Sequence, residues 1–343
     1  MRRLLNILYV TTQDSYLAKD GLNVCMKVEQ EVRFRMPVHN LEGIVCFGRV
    51  SVSPALMALC AESGVAISFL TEHGAFQGRI TGPVSGNVLL RRQQYRFADD
   101  QTISAKIASR VILAKLVNSR GVLARALRDH AQRIDAAAVA DAVSSVTSQI
   151  GGLERCADVD AVRGVEGFAS SIYFGAFDHL ILENKNGFFF KARSRRPPLD
   201  AMNSLLSFLY TLLAHDVQSA LETVGLDPAV GYLHRDRPGR PSLALDLMEE
   251  LRAVLADRLA LNLVNLRQVA PDGFTVKESG GVIMDDATRK VVLTEWQKRK
   301  QEEVRHPFLN ETISIGLVPY AQALLLARFI RGDIEDYPPF IRK

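Results

Sequence analysis

The chain is short of cysteine and short of long apolar runs, and each shortage excludes a class of protein. Its four cysteines, Cys25, Cys46, Cys60 and Cys156, are scattered with no Cys-x-x-Cys spacing. That argues against a disulfide scaffold or a thiolate zinc centre and fits buried apolar thiols in a reducing cytoplasm. No run of about 18 apolar residues occurs, so no membrane span is expected. The start MRRLLNILYVTTQDS has charge and a brief apolar run but no Ala-x-Ala signal, and is not read as a leader. Repeats and low-complexity tracts are missing too. Strong charge imbalance is also lacking, since the net charge is only +4. The cations nevertheless cluster, at Arg91, Arg92, Arg96, Lys106, Arg110 and Lys115 and again at Arg289, Lys290, Lys298, Arg299 and Lys300, and such patches matter more than the sum for DNA binding.

What is present divides the chain. With 48% apolar residues in 343, it can bury ample core and should form about two domains. Before residue 90 short strand-like runs dominate, at 4–11, 22–27, 32–37, 44–47, 66–70 and 78–82. Asp20-Gly21 and His73-Gly74 punctuate them, and PALMALCAE (54–62) reads as one helix. Residues 91–100 are read as a linker. From 101 to 343 the period is helical, over 103–129, 133–149 and 321–330, with a hairpin-like excursion at 272–291. The expected class is α+β, a small N-terminal β-rich domain (1–90) followed by a larger all-α domain (101–343).

Chemistry concentrates in GYLHRDRPGRPSLALDLMEELR, residues 231–252. After Pro241 and Ser242, which can start a helix, Leu243, Leu245, Leu247, Met248, Leu251, Val254 and Leu255 recur at helical spacing. Asp246, Glu249, Glu250 and Asp257 fall on the other side. Residues three apart on a helix stand roughly 5 to 6 Å apart at Cβ, so Asp246 and Glu249 can serve one cation or its surroundings. A solvated acidic face is the plain alternative. His234 sits just upstream, and a further helix, VRGVEGFASSIYFGAF (162–177), brings Glu166 near its start, where a carboxylate is also favoured simply by the dipole. Carboxylates with one imidazole suit Mn2+ over Mg2+, with zinc as runner-up. His234 as a proton-transfer group is the competing role. His73 and His179 lack carboxylates at helical spacing and are read as ordinary turn or surface residues. Tyr173 and Tyr210 are read as core aromatics.

Between these elements KNGFFFKARSRRPPLDAMN (185–203) interleaves Lys185, Lys191, Arg193, Arg195 and Arg196 with Phe188, Phe189 and Phe190. Cations at this density suit a polyanion, with steep salt dependence. A solvated loop beside a buried aromatic strand is the alternative. Pro197 and Pro198 break the chain before a helix beginning near Asp200.

The run RSRRPPLDAMNSLLSFLYTLL, followed by ALETVGLDPAVGYLHRDRPGRPSLALDLMEELRAVLADRLALNLVN, resembles the CRISPR-associated integrase family, the core endonuclease of spacer acquisition, and within it the type I-C branch. Similarity spans the chain, from GVAISFLTEHGAFQGRITGP to HPFLNETISIGLVPYAQALLLARFIRGDIEDYPPF. The resemblance implies a catalytic helical domain in which Glu166, His234 and Glu249 bind Mn2+ or Mg2+. Many relatives carry aspartate where Glu249 stands. Asp246 matches an acid that either supports the ligands or helps catalysis directly, and Asn203 a polar residue near the site. Lys191, Arg193, Arg195, Arg196, Asn203 and Arg240 become candidate DNA contacts. The implied reaction is attack of the 3′-hydroxyls of a spacer-precursor duplex on a repeat phosphodiester, with DNA cleavage by the same site. The implied partners are double-stranded DNA, a second copy through the β domain, and a dimer of the small second adaptation protein. A catalytically silent DNA-binding scaffold is the rival from another class, and a hydrolase of small phosphate esters a weaker one.

Overall fold

A computed structural model of the protein describes residues 7–72, 76–82 and 88–342. The chain divides into two compact units, Met1–Gly86 and Asn87–Lys343. The expected turn at His73-Gly74 and the start of the first expected strand lie outside the described residues.

The first unit holds two four-stranded sheets. In one, β1 (Ile7–Val10), β5 (Gly43–Phe47) and β7 (Ala66–Leu70) run parallel, and β8 (Phe76–Ile80) pairs antiparallel with β7. In the other, β4 (Glu31–Pro37), β3 (Asn23–Val28) and β2 (Ser15–Asp20) form an antiparallel meander, with β6 (Val50–Val52) parallel to β2. Every residue of β5, GIVCF, is buried, as a strand covered on both faces requires. Helix α1 (Pro54–Glu62) begins where Ser53 caps Leu56 N–H and packs on β2 and β7, placing Leu56 and Cys60 in a core with Leu17, Val24, Ile44 and Ile67. Strands β2 and β6 escape the sequence pattern because one mixes polar residues and the other is three residues long.

The second unit is mainly helical. Residues 91–99, expected as linker, are helix, within α2 (Val88–Asp99). Asp100 then caps Thr102 and Ile103 and launches α3 (Gln101–His130). Around α3 pack α4 (Ala136–Gly152), α5 (Val159–Gly175) and α7 (Ser242–Leu251), while α6 (Ala201–Thr223) lies against α7 and α10 (Val318–Arg331). Buried side chains on α3 include Ile107, Ala108, Val111, Ile112, Leu116 and Leu123. Each large one contributes about 1.5 to 3 kcal/mol, and the alanines let neighbours approach. A π-helical turn, Arg252–Asp257, joins α7 to α8 (Arg258–Asn265). The excursion at 272–291 is a hairpin, β9 (Phe274–Val276) with β10 (Val282–Met284), but its last part is already α9 (Asp286–Gln301), started by Asp285 capping Thr288. A second small hairpin, β11 (Glu303–Arg305) with β12 (Thr312–Ser314), precedes α10.

Candidate metal centre

Helix α7 buries its acids as well as its leucines. Asp246, Glu249, Glu250 and, at the end of the π turn, Asp257 are each at most 3% exposed, so the solvated acidic face is not what this helix has. A buried carboxylate must find partners, and the four find different ones.

Glu249 and Glu166 converge. Helix α5 brings Glu166 and α3 brings Lys115, whose ammonium ion-pairs with Glu166 Oε1 and stands 2.9 Å from Glu249 Oε2. Arg252 holds the other Glu249 oxygen at 3.0 Å. Burial pushes the Glu249 carboxyl up, but Arg252 and Lys115 outweigh it and hold the group down at about 2. Ser170 donates to Glu166 Oε1 at 2.9 Å, one turn along α5.

Asp246 organises the loop before its helix. Its Oδ2 accepts from Tyr232 N at 2.6 Å and Leu233 N at 2.9 Å, and its Oδ1 accepts from His234 N at 2.9 Å and contacts His234 Nδ1 at 2.6 Å. A proton on Nδ1 directed at the carboxylate leaves Nε2 with its lone pair. No Nε2 hydrogen bond occurs among the described residues. The loop is fixed from outside too. Gln94 of α2 bonds Asp227 O at 2.8 Å and Val230 O at 3.1 Å, and Arg163 of α5 donates to Leu233 O at 2.6 Å. Pro228 O caps Leu243 N and Ala244 N at the start of α7. Gly231 is forced by proximity, because a Cβ there would stand 2.8 Å from Asp246 Oδ2 and 2.9 Å from the Ser242 backbone.

Glu249, the half-buried Glu166 and His234 Nε2 are together donors of the kind that suits a hard divalent cation. Among the described residues no three His, Cys, Asp or Glu side chains are close enough to share one ion. The two carboxylates meet on an ammonium instead. The donors fit a metal in kind and charge, with Lys115 standing between them.

Glu250 and Asp257 belong to the core. Glu250 accepts from Tyr337 OH at 2.6 Å, Phe340 N at 2.7 Å and Gln322 Nε2 at 2.8 Å. Asp257 accepts from Tyr173 OH at 2.9 Å and Tyr210 OH at 2.6 Å. The two tyrosines are thus buried, as expected, and their hydroxyls serve a carboxylate. Arg252 and Arg193 lie over the Tyr210 ring, 4.7 and 5.2 Å from its centroid.

The basic stretch splits. Lys191, Arg195 and Arg196 are exposed. Arg193 turns inward to Asn203 Oδ1 at 2.7 Å and Ser207 Oγ at 3.1 Å. Asn203 is fully buried and spends its amide on Arg193, Ser194 N, Ala192 O and Asp200, so it pins the loop and leaves no polar atom for DNA. The aromatic run forms no strand. Phe188 and Phe190 are buried and Phe189 faces out beneath Lys191. Arg240 is half-buried, its guanidinium pushed down by burial and by Arg237, Arg163 and Arg195 nearby. Of the two wider basic patches, Lys115, Arg289, Arg299 and Lys300 are buried, with Lys300 paired to Asp216 at 2.7 Å. Lys115 and Lys300 balance interior acids, whereas the buried Arg289 and Arg299 reach the exposed Asp286 and Glu302. Cys156 is half-buried, unlike the other three thiols.

Lys115, Arg252, Ser170 and Gly231 were not singled out as site residues from sequence. A signal existed for Lys115, a single cation inside the apolar stretch VILAKLV on a long helix.

Residues 8–298 match the family model described as CRISPR associated protein Cas1. The chain is 52% identical over 347 residues to CRISPR-associated endonuclease Cas1 2 of Rhodospirillum rubrum, covering 100% of both. Its fold is similar to a casposase bound to integration product, with TM-score 0.84 and 20% identity over 97% of this chain and 93% of that one. It is equally similar, with TM-score 0.84 and 20% identity, to a chain of a Cas6-RT-Cas1–Cas2 complex, covering 99% of this chain and 36% of that one. The family match over most of the chain and the 52% identity to a curated relative show that the chain belongs to the CRISPR-associated Cas1 family.

Proposed function

We propose that the protein is a divalent-metal-dependent DNA endonuclease and integrase of CRISPR adaptation. The observation that carries this reading is the meeting of Glu166 and Glu249, from separate helices, on the Lys115 ammonium, with His234, held by Asp246, close enough to act electrostatically on Glu249. A carboxylate held ionised at the depth of Glu249 serves no packing need that an apolar side chain would not meet as well. It suits a site that must bind a cation.

Glu166, Glu249 and His234 Nε2 would hold Mn2+ or Mg2+, which when bound supplies a Lewis acid for the phosphoryl oxygen and a lowered pKa for the attacking hydroxyl. Asp246 fixes the imidazole and its tautomer. The exposed Arg195 and Arg196 and the half-buried Arg240 supply the positive rim that positions a duplex by its phosphates. In the joining reaction a spacer-precursor O3′–P bond forms as a repeat O3′–P bond breaks, and the hydroxyl proton ends on the departing O3′. One phosphodiester replaces another, so no external energy source is needed. With water as nucleophile the same site cuts DNA.

Double-stranded DNA, a second copy of the chain and the small second adaptation protein are the partners this reading requires, with the cytoplasm as the place of action. The similar structures, a casposase bound to integration product and a Cas6-RT-Cas1–Cas2 complex, support the first and third. The acids also tie α3, α5 and α7 together, which is what a catalytically silent scaffold would need. Purified Glu166→Gln and His234→Ala proteins decide between the two. The enzyme reading expects loss of strand joining and cleavage in Mn2+ with DNA binding retained. Joining by the assembled adaptation complex that is unimpaired by either variant would place the chemistry in another component and leave this chain the scaffold.

A further inference from the structure

We propose that Lys115 is an internal counter-ion, holding the position between Glu166 and Glu249 in the metal-free protein and giving it up when a divalent cation binds, an inference that rests on assigning those two carboxylates to the metal. Lys115 lies midway along α3 with its side chain only 10% exposed. An ammonium is taken that far from water only if charges await it. Two do, Glu166 Oε1 and Glu249 Oε2, which come from helices otherwise joined through α3.

Charge balance then separates the two states. Glu166 and Glu249 carry two negative charges, and Lys115 and Arg252 carry two positive ones, so the metal-free cluster is neutral. A divalent ion added with the ammonium in place would leave two surplus positive charges in a buried spot, and two cations cannot share one position. Withdrawal of Lys115 cuts the surplus to one, which a single phosphodiester matches. Lysine suits such an exit, because a compact charge on a flexible four-carbon stem can move without moving the helix. Arg252, held by the Tyr210 ring as well as by Glu249, stays. The lysine keeps the carboxylates in register before the metal arrives and lowers the site's affinity for it.

Two measurements test this. Acylation of the wild-type protein by an amine-reactive reagent, read at the Lys115 peptide by mass spectrometry, should be suppressed in chelator and rise on saturation with Mg2+. Unchanged labelling overturns the proposal. Binding of Mn2+, followed by the electron paramagnetic resonance signal of the free ion, should be about tenfold tighter in Lys115→Met, the order expected for removing a unit charge beside the site. Equal or weaker binding overturns it. A Glu166→Gln protein that binds Mn2+ as well as wild type fails the metal assignment itself, a result separate from a failure of Lys115 alone.

Discussion

Asp246→Asn distinguishes an acid that builds the site from one that reacts in it. The carboxylate is 1% exposed and receives three backbone N–H groups and the His234 ring nitrogen. An amide of the same shape keeps one oxygen for two of these donors and turns an NH2 toward the others. Two charge-assisted bonds are lost and donors face donors, which costs about 2 to 4 kcal/mol. For a domain of this size that lowers Tm by about 5 to 15 °C. Thermal unfolding by circular dichroism measures it, with nitrogen-15 chemical shifts of the His234 ring reporting loss of the fixed tautomer. Strand joining should fall with it. A variant that unfolds with the wild type, keeps the tautomer and has nonetheless lost joining would refute this, and would make Asp246 a direct participant.

Stability should depend on pH in two opposed windows. Burial raises Glu250 to about 7, against the pull of its three donors, from an ordinary 4.5. The folded state thus keeps a proton that the unfolded state has lost, so the contribution is full below 4.5 and fades as pH rises through 7, by about 3 kcal/mol. Glu249, held down at about 2, acts the other way, with stability lost as pH falls from 4.5 toward 2. Denaturant titrations across pH should show both slopes, and Glu250→Gln should flatten the upper one. Tyr210→Phe removes the 2.6 Å bond to Asp257 while keeping the ring against Arg193 and Arg252, and should cost about 1 to 2 kcal/mol in urea denaturation with joining retained. Gly231→Ala drives a methyl into Asp246 and the α7 backbone, and should reduce both Tm and joining. Arg195→Ala with Arg196→Ala should reduce the slope of log affinity against log salt by about 1.8, whereas Arg193→Ala should act mainly on Tm, because its guanidinium is spent on Asn203 and Ser207.

Much of the local structure was legible because its causes are local. Leucines at helical spacing mark α7, Pro197, Pro198 and Asp200 mark the start of α6, and short apolar runs mark β5 and β7. Glu166, His234, Asp246 and Glu249 were recognisable as chemistry-bearing residues. What the letters by themselves determined about this protein was which residues share a helix face and where elements begin. A period cannot say what stands opposite a face, so α7 looked solvated on its acidic side and proved buried on both. The cation facing Glu166 comes from Lys115, 51 residues earlier in the chain. The division of the basic stretch into an exposed rim and an inward Arg193 likewise depended on Asn203 lying beneath it. Only tertiary packing decided these pairings, because burial makes charges seek partners at whatever sequence distance the fold brings them together.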